Sequence, residues 1–433
     1  MRSSITFGIV GFLFASAIAA SGAAQQTSTS AADEITFSRD IAPIAFEHCV
    51  YCHRPGEVAP FSFMTYRDVR PWARSIKQKV LSGEMPPWKA DPHYGSFQNT
   101  RTLNKHDIDT FVAWVDGGAK EGNPAEMPPA PQFAEGWQIG TPDLVLQMKE
   151  PYTVPPRGDV PWMTVPSNDY VFPEDTWIQA VEVRPGNRRV VHHAVAQANF
   201  PGDNPSLGGS GLHLYSPGLD AIVWRDGYGK LMPKGTRISF QMHYQANGRE
   251  TVDQTKVGFR FATRPVHTQV NTTIISNTAI AIPPMVQAHE AITAFRFPTD
   301  SRIHAFRPHM HLRGKSATAT LITPGSGKRD VLLYLPRWDD AWQNYYVLSK
   351  PVSVPSGAMV EYIASYDNSP ANALNPDPKT PVVWGQQVWE EMFETYITWT
   401  VINDQNKNDA EPIQIAPNKA FTTGGANLKG GGR

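Results

Sequence analysis

The chain has 433 residues, and at roughly 150 residues per domain that length calls for about three domains. Its 39 Lys+Arg against 40 Asp+Glu leave a formal charge of -1, which excludes the basic footprint of a nucleic-acid binder or of a protein held on anionic lipid. Apolar residues make up 41% and there are 38 prolines, so cores are affordable while a mainly helical body is not expected.

In chain order, Arg2 and the apolar run "ITFGIVGFLFASAIAA" come first, followed by the small-residue sites of "ASGAA". Residues 1–24 therefore read as an export signal cleaved near Ala20 or Ala24, giving a periplasmic or secreted protein. A membrane anchor is the competing reading. The run is diluted by Ser, Thr and Gly and is short of the ~20 apolar residues that span a bilayer. No later segment is long and apolar enough, so no membrane span is expected after signal removal.

Residues 34–127 read as partly helical. "ITFSRDIAPIAFEHCVYCH" has helical apolar spacing, "SIKQKVLSGEMPPW" stops at Gly and Pro-Pro, and "LNKHDIDTFVAWVDGGAKEG" opens on an Asn104 cap and closes on Gly-Gly. Residues 128–137 belong to a Pro-rich linker. From 138 onward short β-like runs alternate with turn signals, including "TWIQAVEVRPG", "RVVHHAVAQANF", "TRISFQMHYQA", "RIHAFRPHMHLRG" and "FETYITWTVIN". The length suits two antiparallel sandwiches, 138–272 and 273–402, followed by a loose tail at 403–433. The expected fold class is thus multidomain: a small α-helical domain followed by two all-β sandwiches of jelly-roll type.

The only cysteines, Cys49 and Cys52, stand in "CVYCH". C-x-x-C-H is the attachment signal of a covalent c-type haem, with His53 as axial iron ligand. A redox dithiol and half of a zinc site are the alternatives; the first lacks a βαβ setting and the second lacks another cysteine pair. Met85, in "SGEMPPW", is the chosen second axial ligand ahead of Met64 and Met127. Residues 34–127 resemble small class I cytochromes c, which use this Cys-x-x-Cys-His and Met-Pro pattern.

Histidines are patterned further along. His192 and His193 are adjacent, and neighbours on a regular strand face opposite ways, so a shared role requires a bulge or a strand end. His243 follows Gln241 on one face of a strand. His309 and His311 alternate, and on a strand two such imidazoles share a face. Met392 follows Glu390 and Glu391. Imidazole suits several first-row metals, while a thioether selects Cu(I).

These words, in this order over 138–402, resemble the copper type II, ascorbate-dependent monooxygenases of the peptidylglycine α-hydroxylating and dopamine β-monooxygenase group. The resemblance implies an electron-transfer copper on His192, His193 and His243 and a catalytic copper on His309, His311 and Met392. It implies substrate contacts from Arg307, Gln241 and Tyr396, with Glu394 standing where the peptide-processing pattern has Asn. The implied activity is hydroxylation of a C–H bond of a small organic substrate by O2. Electrons would come through the haem domain from an external donor, or from ascorbate. A non-catalytic haem/copper electron-transfer protein and a copper-binding protein are the alternatives.

Overall fold

The structure, a computed structural model, describes residues 34–133, 136–202, 211–413 and 419–420. The expected export signal at 1–24 lies outside the described residues, as does part of the 403–433 tail.

Four short helices, one of them the single turn Tyr66–Val69, form the N-terminal part with their caps. A wide turn at Phe37–Ile41 leads into Ala42–His48, and Ala73–Leu81 and Lys105–Asp116 follow. The Asn104 side chain accepts from Asp107 N, satisfying one of the free N–H groups at the start of the last helix. Phe37, Ile41, Phe46, Phe63, Phe111 and Trp114 make the apolar cluster between them.

The β body is built on one long sheet of nine strands. Its order is Tyr346–Val354, Ser301–His309, Glu394–Val401, Thr268–Ser276, Tyr228–Met232, Thr176–Arg184, Lys256–Phe261 and Leu144–Gln147, with Ile222–Val223 beside Thr176–Arg184. Two four-stranded sheets pack on it. One runs Met163–Pro166, Arg237–Tyr244, Val191–Asn199, Gly211–Tyr215. It shares a core with the long sheet through Ala194, Ala196, Phe240 and Met242 against Ile178, Val181 and Val183. The other runs His289–Arg296, Met359–Tyr366, Gly314–Ile322, Arg329–Leu335. Its Ala317, Ala319, Val360 and Tyr362 meet Ile303, Phe306, Ile397 and Trp399. Strand residues alternate between a covered and an open face, as the Met359–Tyr366 strand shows most plainly.

The expected fold class is corrected on two counts. The helical part is not a separate α-helical domain, because the chain leaves it to enter the β body. Trp88, Ala90 and Phe97 belong to the same core as Leu332, Tyr346 and Leu348. Backbone bonds tie the crossing down: Asp91 N to Tyr334 O (2.9 Å), Gln98 N to Val347 O (2.9 Å) and Ser349 N to Ser96 O (2.7 Å). Ile35–Arg433 accordingly clusters as one unit. Nor are there two independent sandwiches. The Thr268–Ser276 strand pairs antiparallel with Glu394–Val401 and parallel with Tyr228–Met232, so a single sheet runs through both halves.

Candidate metal centre

Two neighbouring strands bring three imidazoles together. In the ladder between Arg237–Tyr244 and Val191–Asn199, His243 faces His193, but the next partner of Tyr244 is Val191. His192 is therefore the extra residue of a β-bulge. A bulge turns a side chain that regular pleating would send to the far face, and this one lets adjacent residues serve one centre. The ligand atoms of His192, His193 and His243 all lie within 4.8 Å of one another. His192 Nδ1 is 3.3 Å from His243 Nδ1. The ring centroids of His192 and His193 are 4.0 Å apart, and those of His193 and His243 are 5.7 Å apart.

The surroundings keep these rings neutral. Burial pulls His192 down to about 4, against the pull of a hydrogen bond with the Ala341 backbone. Burial, and then the other rings, pull His243 to about 3 and His193 well below the ordinary range. His193 is 0% exposed, and neither of its ring nitrogens has a hydrogen-bond partner among the described residues. Buried polar atoms of this kind are rare and each costs about 1–3 kcal/mol. A neutral ring with a free lone pair is the form of histidine that ligates a metal.

Trp162 stands between this cluster and the second histidine pair. Its ring stacks on His243 (4.8 Å, 26°) and meets His309 edge-on (6.4 Å, 72°). Its backbone N–H donates to Gln387 Oε1 at 3.1 Å. Beyond it lies a cavity of about 170 Å³, lined among others by Gln241, His309, His311, Met392 and Glu394.

The Ser301–His309 strand ends at His309, so His311 is not held by strand pairing. The two rings stand at 87° with centroids 5.1 Å apart, and do not lie side by side on one pleated face. His311 is fixed instead by Glu391, whose carboxylate accepts from His311 N (2.9 Å) and Arg313 N (2.7 Å). Burial pushes Glu391 up to about 8. His309 Nδ1 lies 2.6 Å from Gln343 Oε1, and His311 Nδ1 3.3 Å from Glu390 O. Burial lowers His309 to about 4 and His311 to about 3. Met392 is buried in the same wall, its carbonyl accepting from Tyr366 OH.

Cross-strand register sets the polar wall. Arg307 faces Tyr396, and His309 faces Glu394. The Arg307 guanidinium lies 3.6 Å over the Tyr396 ring. No carboxylate comes within 4.0 Å of this buried cation among the described residues, Glu394 included. Tyr396 OH is 3.4 Å from Glu394 Oε2, and burial raises both the Glu394 carboxyl and the Tyr396 phenol, the latter to about 12.

Cys49, Cys52, His53 and Met85 line a different cavity, apolar and of about 500 Å³. Cys49 begins a turn after Ala42–His48, with His53 N donating to Cys49 O (3.0 Å). Both cysteines are free of disulfide, and burial pushes the Cys52 thiol up. His53 Nδ1 is 3.1 Å from Phe61 O. Met64 and Met127 pack in the helical cluster.

No family model matches the chain, and no curated protein matches it. Solved structures offer partial likeness to virus proteins. The infectious bursal disease virus Gx strain structure has 9% identity over 62% of this chain and 74% of that chain, with a TM-score of 0.20. A223, a turret protein in Sulfolobus turreted icosahedral virus, has 10% identity over 60% and 100%, with a TM-score of 0.15. The infectious bursal disease virus VP2 subviral particle has 8% identity over 62% and 83%, with a TM-score of 0.18. Scores this low place the chain in no fold family.

The resemblance to copper monooxygenases fused to a cytochrome c is therefore corrected. No family model and no curated protein of either kind matches, and the helical part is not a self-standing domain. Among the described residues one group of three His, Cys, Asp or Glu side chains has its ligand atoms in mutual reach, and Cys49, Cys52 and His53 are not in it. The assignments that rested on the resemblance fall with it: two coppers, ascorbate or an external electron donor, and C–H hydroxylation of a small substrate by O2. So do the haem/copper electron-transfer and copper-binding alternatives. The c-type haem read from CVYCH, with His53 and Met85 as axial ligands, is corrected as well, because no separate helical domain houses it and Cys49, Cys52 and His53 stand outside the one clustered ligand group among the described residues.

Residue words alone did not single out Trp162, Gln343 or Asp340. The reach of Gln343 to His309 spans 34 residues of chain, and no local pattern announces it.

Proposed function

We propose that this chain is a metal-binding protein and that His192, His193 and His243 hold one transition-metal ion. The observation that carries the reading is the buried three-imidazole cluster with both His193 nitrogens unpartnered. Imidazole donors suit first-row transition metals, whereas magnesium and calcium take oxygen. Three protein donors also leave a tetrahedral ion one further position.

Roles for the neighbouring residues belong to the same proposal. Arg307, Gln241, Tyr396 and Glu394, with His309, His311 and Met392, would contact a small polar molecule in the 170 Å³ cavity. The Arg307 cation, stacked on Tyr396 and with no carboxylate within 4.0 Å among the described residues, favours one that bears a carboxylate. Cys49, Cys52, His53 and Met85 would contact an occupant of the apolar cavity. Apolar clusters centred on 37–119, 146–270 and 275–399 support 34–127, 138–272 and 273–402 as packing segments, with Trp88–Phe97 crossing over. The run at 1–24 supports export.

Equilibrium dialysis of metal-free protein against zinc(II), cobalt(II) or nickel(II) tests the central claim. One ion per chain is expected. His193→Ala should weaken binding more than about 100-fold, beyond what loss of a supporting partner does. Absence of stoichiometric binding, or equal affinity in His193→Ala, would refute the proposal.

A further inference from the structure

His309 ends its strand facing the 170 Å³ cavity, and two residues outside that pairing decide which of its nitrogens carries the proton. Gln343 Oε1 lies 2.6 Å from His309 Nδ1. On its other side, Gln343 Nε2 lies 3.2 Å from Asp340 Oδ1 and 3.4 Å from the Asp340 backbone oxygen. A backbone carbonyl can only accept, so the amide group facing Asp340 must be the NH2. The group facing His309 is then the carbonyl. Turning the amide over would set its oxygen against the Asp340 backbone carbonyl, which can only accept, and the hydrogen-bond network is what assigns an amide's orientation.

An amide oxygen cannot donate, so the proton in the 2.6 Å contact belongs to His309 Nδ1. In a neutral imidazole the other nitrogen then holds the lone pair. Gln343 and Asp340 are both buried, and buried amides and carboxyls keep hydrogen-bond partners. We propose that Asp340 and Gln343 are positioning residues that lock His309 as its Nδ1–H tautomer, making Nε2 the lone-pair donor of the cavity wall. At that point the cavity selects an electron-poor group, an N–H or O–H donor or a cation, and rejects a bare acceptor. The inference deepens the cavity part of the function proposed above and does not need the three-histidine cluster to hold an ion.

Metal-free protein labelled with nitrogen-15 in histidine tests it, so failure of the metal reading leaves this result untouched. Long-range proton–nitrogen correlation reports the tautomer, and His309→Asn identifies the His309 signals. Wild type should show a protonated Nδ1 and an unprotonated Nε2. Gln343→Met, which keeps size and removes the acceptor, should shift the ring towards Nε2–H or a mixture. Gln343→Glu keeps an acceptor and should restore Nδ1–H. A protonated Nε2 in wild type overturns the proposal, whether or not the variants fold. An unchanged tautomer in folded Gln343→Met also overturns it.

Discussion

Replacing His304 with leucine should make the protein less sensitive to acid. His304 is 2% exposed, with Nε2 2.9 Å from Thr400 Oγ1 and Nδ1 without a partner among the described residues. Burial, reinforced by Arg225 and Arg302, lowers it to about 3. An unfolded histidine titrates near 6.5. Below that value the unfolded chain takes up a proton that the folded chain refuses. Stability present above about pH 6.5 is thus lost as pH falls towards the folded value of about 3. Between about pH 7 and about pH 5 the loss from this one ring is ~2 kcal/mol. That figure barely depends on the folded value, because the buried ring is neutral at pH 5 whenever its midpoint lies about a unit or more below. His304→Leu removes this contribution. The other buried histidines titrate in both proteins and cancel, and the lost Thr400 contact acts at both pH values. Urea unfolding in excess chelator at the two pH values measures the difference. Wild type should lose ~2 kcal/mol more than the variant on acidification. Equal losses would refute the reasoning, showing that the folded state admits the proton or that His304 is not buried.

Glu391→Ala should lower stability by about 2 kcal/mol or more, because the backbone N–H groups of His311 and Arg313 both lose their buried acceptor; thermal or denaturant unfolding reads this. Trp88→Ala should cost about 3–5 kcal/mol, and unfolding followed at helical and β signals should remain one transition, since Trp88 lies in the C-terminal core. Separate melting of 34–127 would contradict the shared core. Zinc(II) added to metal-free protein should change the fluorescence of Trp162, which stacks on His243 at 4.8 Å, and Trp162→Phe should remove most of that change while leaving the stoichiometry at one ion.

Much of the local structure was written in short stretches of chain. Asn104 before an apolar helical pattern is a cap because its side chain reaches only three residues on. Alternating runs such as "MVEYIASY" become strands because pleating gives each its own covered face. Adjacency of His192 and His193 already demanded an irregular strand, since pleating separates neighbours, and the bulge opposite His243 supplies it.

Other features depend on partners far away in the chain, which no local pattern encodes. The parallel pairing of Thr268 with Tyr228 joins both halves into one sheet, while each strand by itself is equally compatible with two closed sandwiches. Trp88, Ala90 and Phe97 sit next to helical sequence, yet the larger apolar surface available to them is that of the β body. The His-x-His spacing of 309 and 311 suggested one pleated face, but pairing stops at His309, and Glu391 holds the backbone of His311 and Arg313 on a different course. The order of histidines and methionines along a chain is likewise a weak guide to a centre. By itself the sequence determined where strands, caps and an irregular histidine pair occur, because those depend on chain geometry within a few residues. Only the tertiary structure decided which imidazoles share a site and which polar groups hold them, because desolvation and hydrogen-bond satisfaction are settled by residues 34 to 80 positions away.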